Sequence, residues 1–219
     1  MFLIEETKME DSIACGSIGG DVWLPKSSNV PRCARCNNEM ALYLQLEVKE
    51  AFRLPFKTGS RLNFFSCPEH DDLALEQYTN RDKCVQSTYN TEVHVHYSLM
   101  LLGPDLDLEK KGIEPRILEK PIFARESEEE IEESEYVGRT SLCHRTKVGG
   151  VPAWLNYAVN LNCTCGGKLE FLCQIRDGTT FHYGKGPVEY YRLLNANFIY
   201  LLACERQCSP FAIIPICDN

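Results

Sequence analysis

Long apolar runs are missing from this sequence. No segment approaches the roughly 20 consecutive apolar residues that a membrane-spanning helix needs, which argues against a membrane partner. The opening Met1-Phe2-Leu3-Ile4 turns acidic at Glu5-Glu6, leaving too short an apolar stretch for a signal peptide. A reduced, cytoplasmic setting is therefore expected. Basic charge is also scarce: 23 Lys and Arg stand against 31 Asp and Glu, giving a net charge of −8. A nucleic-acid binder would carry the opposite balance, whereas an acidic chain suits a basic protein partner.

Phosphate-binding signatures are absent as well. The glycine pairs Gly19-Gly20 and Gly149-Gly150 sit in neither a G-x-G-x-x-G nor a P-loop pattern. They are expected to bend or bulge the backbone so that Trp23 or Trp154 can pack. No nucleophile and base come together in a recognisable order. Cys143 and His144 are adjacent, and neighbours on a strand point to opposite faces. With Cys84 equally isolated, no enzyme is expected.

What the chain does have is cysteine, 12 in all. Cys33-Ala34-Arg35-Cys36 is answered some thirty residues later by Cys67-Pro68-Glu69-His70. Zinc takes thiolate and imidazole tetrahedrally, commonly as two short pairs separated in sequence, so Cys33, Cys36, Cys67 and His70 are expected to bind one ion. A looser variant follows in Cys163, Cys165, Cys204 and Cys208. Each set supplies four protein donors and leaves no position for water or substrate, so both predicted zinc ions are structural. A disulfide framework would need an oxidising compartment. Cys15, Cys84, Cys143, Cys173 and Cys217 are left over as small buried hydrophobes.

The two sets lie in similar surroundings. Trp23 precedes Cys33 by ten residues and Trp154 precedes Cys163 by nine; Met40 and Gln45 follow Cys36 at +4 and +9, as Leu169 and Gln174 follow Cys165. This ordered agreement predicts a duplicated unit. Segments 41–48, 61–66, 169–176 and 197–203 read as strands, with Asp177-Gly178 as a hairpin turn into 179–183 and a last edge strand at 211–216 interrupted by Pro215. The expected fold is a β-rich α+β protein of two pseudo-repeated antiparallel-sheet units, each with a structural zinc site. The units span 1–100 and 141–219, joined by an acidic connecting segment at 101–140. Antiparallel pairing of 41–48 with 61–66 would bring the first four ligands to one sheet edge. His94 and His96 alternate on what reads as an ordinary strand face.

Seven glutamates crowd the ten positions from Glu126 to Glu135. Such a run reads either as a solvated face or as a docking surface for a basic partner, the second assigning that role to Glu128, Glu129, Glu130, Glu132 and Glu133.

With these pieces in view, the chain resembles the YwqG-like family and the related programmed cell death protein 2. The resemblance is carried by Gly19-Gly20, by Pro31 to Cys36 with Met40 and Gln45, and by Phe64 to His70. In the second half it is carried by Lys147 to Leu155, by Cys163 to Gln174 and by Phe181-His182. It implies a β-rich, pseudo-twofold protein without catalysis. Eukaryotic relatives act as chaperones of a nascent ribosomal protein, and some bacterial ones stand beside toxins. Leu54-Pro55-Phe56 and Gly59 to Leu62 look bacterial, and the chain ends soon after its second cysteine set. The expectation is an immunity protein, a monomer within a heterocomplex that occludes a toxin domain. The alternative is a chaperone for a basic ribosomal protein.

Overall fold

The computed structural model describes residues 1–70, 97–114, 117–127, 145–154, 161–176 and 198–218. Twelve strands account for most of them: β1 (Phe2–Glu5), β2 (Ile13–Ile18), β3 (Val22–Pro25), β4 (Ala41–Glu47), β5 (Arg61–Ser66), β6 (Tyr97–Leu102), β7 (Leu108–Lys111), β8 (Lys120–Glu126), β9 (Lys147–Val148), β10 (Leu169–Arg176), β11 (Phe198–Cys204) and β12 (Ile213–Asp218). Helix among the described residues is limited to one 3-10 turn, Glu50–Phe52. The protein is thus β-rich, and among the described residues the helical part of the α+β expectation is represented by that turn alone.

Ten strands form one antiparallel sheet in the order β12-β11-β10-β9-β1-β8-β2-β4-β5-β6, while β3 and β7 form a small second sheet. The large sheet is nearly closed. Its end strands β6 and β12 come into contact, and the Leu101 N–H donates to the Pro210 carbonyl across the gap at 2.7 Å. The N-terminal strand β1 lies between β8 and β9, pairing Phe2 with Glu126 on one side and with Val148 on the other.

Why these segments become strands follows from their alternation. Successive side chains on a strand point to opposite faces. In β11, Ile199, Leu201 and Ala203 face the interior together with Leu62 and Phe64 of β5, Leu99 and Leu101 of β6 and Ile122 of β8. The intervening Phe198, Tyr200, Leu202 and Cys204 pack outward into a second cluster with Trp154 and Phe171. Both faces are covered, so the sequence there reads as a continuous apolar run, not as a hydrophobic-polar alternation. The first half does the same: Met40, Leu42, Phe65, Met100 and Leu102 pack outward beneath β3, around Cys33 and Cys67.

Residues 101–140 supply β7 and β8 as far as Glu126, and Glu128 to Glu135 lie outside the described residues. So do Cys84, His94, His96, Cys143, His144 and the Asp177-Gly178 turn. The last strand starts two residues later than expected and does lie at the end of the sheet, where Pro215 stands opposite Leu201.

The glycine pairs are tight bends, as expected. Gly19 has φ +64° and Gly149 φ +67°, a left-handed conformation that costs other residues energy. Each donates its N–H to a neighbouring strand, Gly19 to Tyr43 O at 3.3 Å and Gly149 to Leu172 O at 3.0 Å. Tyr43 and Leu172 occupy the bulges where the β4–β5 and β10–β11 registers shift.

Downstream of each bend, a buried glutamine secures the chain. Gln45 Oε1 accepts the Trp23 N–H at 3.0 Å, and Gln174 Oε1 accepts the Ala153 N–H at 3.1 Å. The carbonyls of the same two residues are also bound: Asn63 Nδ2 donates to Trp23 O at 2.9 Å and the Tyr200 hydroxyl donates to Ala153 O at 2.6 Å. Trp23 and Ala153 are thus held alike, by a glutamine on the N–H and a second side chain on the carbonyl; Trp154 lies against the Tyr200 ring, with 4.6 Å between centroids. Gln174 is fully buried and its Nε2 also donates to Arg145 O at 3.1 Å. Gln174→Leu leaves one buried N–H and one carbonyl without their partner, and is expected to cost about 2–4 kcal/mol, read from the shift in urea midpoint at constant slope.

Candidate metal centres

The pairing of β4 with β5 sets Ala41 opposite Ser66. The turn before β4 and the turn after β5 are thereby held side by side. In the first turn the Cys33 N–H donates to Asn38 O at 2.9 Å, and the Asn37 N–H, from a left-handed residue at φ +59°, donates to Cys33 O at 2.7 Å. The Arg32–Glu39 ion pair at 2.9 Å closes its base. In the second turn the His70 N–H returns to Cys67 O at 3.2 Å. The consequence is convergence. Cys36 Sγ lies 3.7 Å from Cys67 Sγ, and His70 Nδ1 lies 3.5 Å from Cys33 Sγ and 3.4 Å from Cys67 Sγ.

The second cluster is built likewise. Leu169 of β10 stands opposite Cys204 of β11. The Cys163 N–H donates to Gly167 O at 2.8 Å, and the Gln207 N–H donates to Cys204 O at 2.9 Å. The two turns are tied together by Glu205 N–H to Lys168 O at 3.0 Å and Arg206 Nη1 to Cys165 O at 3.0 Å. Cys163 and Cys208 sulfurs are 3.5 Å apart, those of Cys165 and Cys204 3.4 Å. Relative to the first cluster, one residue fewer separates the first pair of ligands and one more separates the second pair.

All eight ligands expected from the sequence are thus brought into two groups of four, with the donor atoms in each group within 4.8 Å of one another. Each group can hold a metal ion. A tetrahedral ion with metal–sulfur bonds of about 2.3 Å and metal–nitrogen bonds of about 2.05 Å would separate its donors by roughly 3.5–3.8 Å. The five separations given above, 3.4–3.7 Å, lie near that spacing, and every other donor pair stays within 4.8 Å. None of the ten described cysteines is in a disulfide.

Thiol acidity points the same way. Burial opposes ionisation of Cys33, yet the backbone N–H groups of Cys36 and Arg35 hold it below the ordinary thiol value. Burial pushes its neighbour Cys67 up to about 12, with the Cys33 charge adding to the rise. In the second cluster the Gly167 N–H on the sulfur draws Cys165 down to about 7, while burial pushes Cys204 and Cys208 up. Cys33 and Cys165 thus ionise more readily than an ordinary thiol, while Cys67, Cys204 and Cys208 resist, first because they are buried and then because anions this close repel. A divalent cation at the centre removes that repulsion and lets the remaining thiols ionise.

The sign of the pH dependence follows. With metal bound, thiolate ligands carry no protons; in the metal-free, unfolded chain the thiols take them up. The unfolded state binds more protons, so stability rises with pH and falls on acidification. Ion content and melting temperature are expected to drop together as the pH is lowered from neutral, a coincidence that mass spectrometry and calorimetry on the same samples would check.

The leftover described cysteines stay apart from both groups. Cys15, Cys173 and Cys217 are buried in the interior, where burial pushes the Cys15 thiol up to about 12 and Cys173 higher still. In the sequence Gln45 and Gln174 are recurring letters only, because their grip on Trp23 and Ala153 has no motif that would announce it. Lys147, fully buried with its Nζ donating to Val151 O, has no local signature either.

The fold and its two clusters define a β-rich protein with two four-donor Cys/His sites. A scan against protein-family models finds no match for this chain, and a search of curated proteins finds none either.

Proposed function

We propose that this chain is a non-catalytic, zinc-clamped protein-binding module of the YwqG-like type, and that its task is that of an immunity protein occluding a toxin domain. The observation that carries the reading is the pair of closed donor sets. Four protein ligands fill a tetrahedral ion, so an ion held there fastens strand ends and has no position for chemistry. Cysteine-rich tetrahedral donors favour zinc over harder divalent ions. As thiolate ligands they also call for a reducing compartment, in keeping with the cytoplasm.

The duplication belongs to the same reading. The strands β2-β4-β5-β6 and β9-β10-β11-β12 follow one another in the same sequence across the sheet. Both sets carry a Gly-Gly bend, a strand bulge, a glutamine clamp and a four-donor cluster at matching places. We read these as diverged copies of one unit. The net charge of −8 suits a partner that is basic around its active site, as domains that attack nucleic acid are. The same charge suits a basic ribosomal protein, the client of a chaperone.

Co-expression with candidate toxin domains separates the two. Rescue of growth and a stable one-to-one complex are expected. Absence of both, with a nascent ribosomal protein co-purifying during active translation, would replace immunity with the chaperone role.

A further inference from the structure

The two clusters differ in what they touch. The hydrogen bonds described above for the first one close its own turns. The second reaches across to the other half of the chain through Gln207, which lies between the ligands Cys204 and Cys208. Its side chain is bound at both ends by the loop between β4 and β5. The Lys57 N–H donates to Gln207 Oε1 at 3.0 Å, and Gln207 Nε2 donates to Ser60 Oγ, itself fully buried, at 3.0 Å. Three residues on, Pro210 O accepts the Leu101 N–H of β6 at 2.7 Å. These contacts lie where the ends of the large sheet meet.

We propose that the second metal centre is a clasp: the ion that gathers Cys163, Cys165, Cys204 and Cys208 also holds β12 against β6 and keeps the sheet closed. The inference rests on the reading that this cluster is loaded with zinc. Gln207 adopts a left-handed backbone at φ +44°, which a residue other than glycine holds only when its surroundings fix it. Cys204 is fixed by the β10–β11 ladder, and the other end of the turn, Cys208, is fixed through the cluster. Without the ion the Cys208 end is released, and Gln207 beside it loses the pose that fits Lys57 and Ser60.

The clasp is also the accessible centre. Cys208 is exposed, whereas Cys33 and Cys67 are buried and Cys36 and His70 are half-buried. A competing ligand therefore reaches the second ion more directly than the first. Its loss would part the ends of the sheet and uncover two strand edges, the kind of surface on which another chain's strand can pair.

Amide hydrogen exchange on the whole protein tests the clasp, with native mass spectrometry counting ions in the same samples. In Gln207→Ala both ions are expected to remain, while exchange at Lys57 and Leu101 speeds up on the order of tenfold or more and exchange at Met40, in the first cluster's turn, is unchanged. The one-ion form should show the same two amides accelerated. It is made by Cys208→Ser or, where that variant does not fold, by graded chelation of the wild-type protein with EDTA. Wild-type protection of Lys57 and Leu101 in the one-ion form would overturn the proposal. Protein purified without any ion would overturn the metal reading and the clasp with it, and the ion count reports that outcome separately from exchange.

Discussion

Cys36→Ser is expected to leave the protein with one bound ion and to unfold its first half. A structural zinc site contributes roughly 10–16 kcal/mol of apparent binding free energy at neutral pH, and a domain's whole stability is about 5–15 kcal/mol. Even a fraction of the first figure exceeds what the fold can lose. The damage starts locally. Cys36 Sγ approaches Cys67 Sγ at the end of β5, and the outward cluster of Val22, Leu24, Met40, Phe65 and Met100 surrounds Cys33 and Cys67. It then spreads, because β4 and β5 also supply Tyr43, Leu46, Leu62 and Phe64 to the interior shared with β10 and β11. Circular dichroism should show a lowered or absent thermal transition, alongside loss of one ion by mass. A variant that melts at the wild-type temperature and still holds two ions would contradict the assignment of Cys36 as a ligand.

Gly16→Ala should destabilise the sheet by about 3 kcal/mol, near the upper end of what forcing extra atoms into a packed structure costs. The main cause is a collision. At φ +159° Gly16 already holds a backbone conformation that L side chains rarely adopt, and a methyl group there would sit 1.9 Å from the Gln45 carbonyl oxygen. Backbone cannot rotate away as a side chain can. To relieve the clash, β2 must move from β4, where Gly16 pairs with Leu46, or from β8, where the register shifts between Ala14 and Gly16. Moving β4 also disturbs Gln45, the residue that holds Trp23. Urea unfolding measures the effect; a loss under about 1 kcal/mol would mean that these strands do not pack as closely as described.

Legibility in the sequence followed the range of the interaction. The two four-donor clusters could be read because metal chemistry demands short local pairs, and turns that place two donors side by side leave a spacing in the chain. Strands 61–66 and 169–176 could be read because their composition and bounds are local properties. The near-closure of the sheet could not. It depends on β1 pairing with β8 across more than a hundred residues of chain, Phe2 with Glu126, and on Pro210 meeting Leu101. No local pattern encodes either.

β8 shows a subtler loss. Ile122 and Ala124 alternate inward within Lys120–Glu126, but the flanking Pro121 and the charged Lys120, Arg125 and Glu126 made the stretch read as part of an acidic connection. The grip on Trp23 and Ala153 is hidden in a similar way, because it is made on backbone N–H and carbonyl groups that carry no side-chain signature. Gln207 lay hidden for the same reason, its role being set by what the fold brings opposite it.

Elemental analysis of the purified chain, read with native mass spectrometry, bears on the claim beneath all of this. Two zinc ions per chain, both lost with unfolding on strong chelation, is the predicted result. Protein that folds and melts normally with no bound metal, or whose eight ligand positions are joined as disulfides, would contradict it.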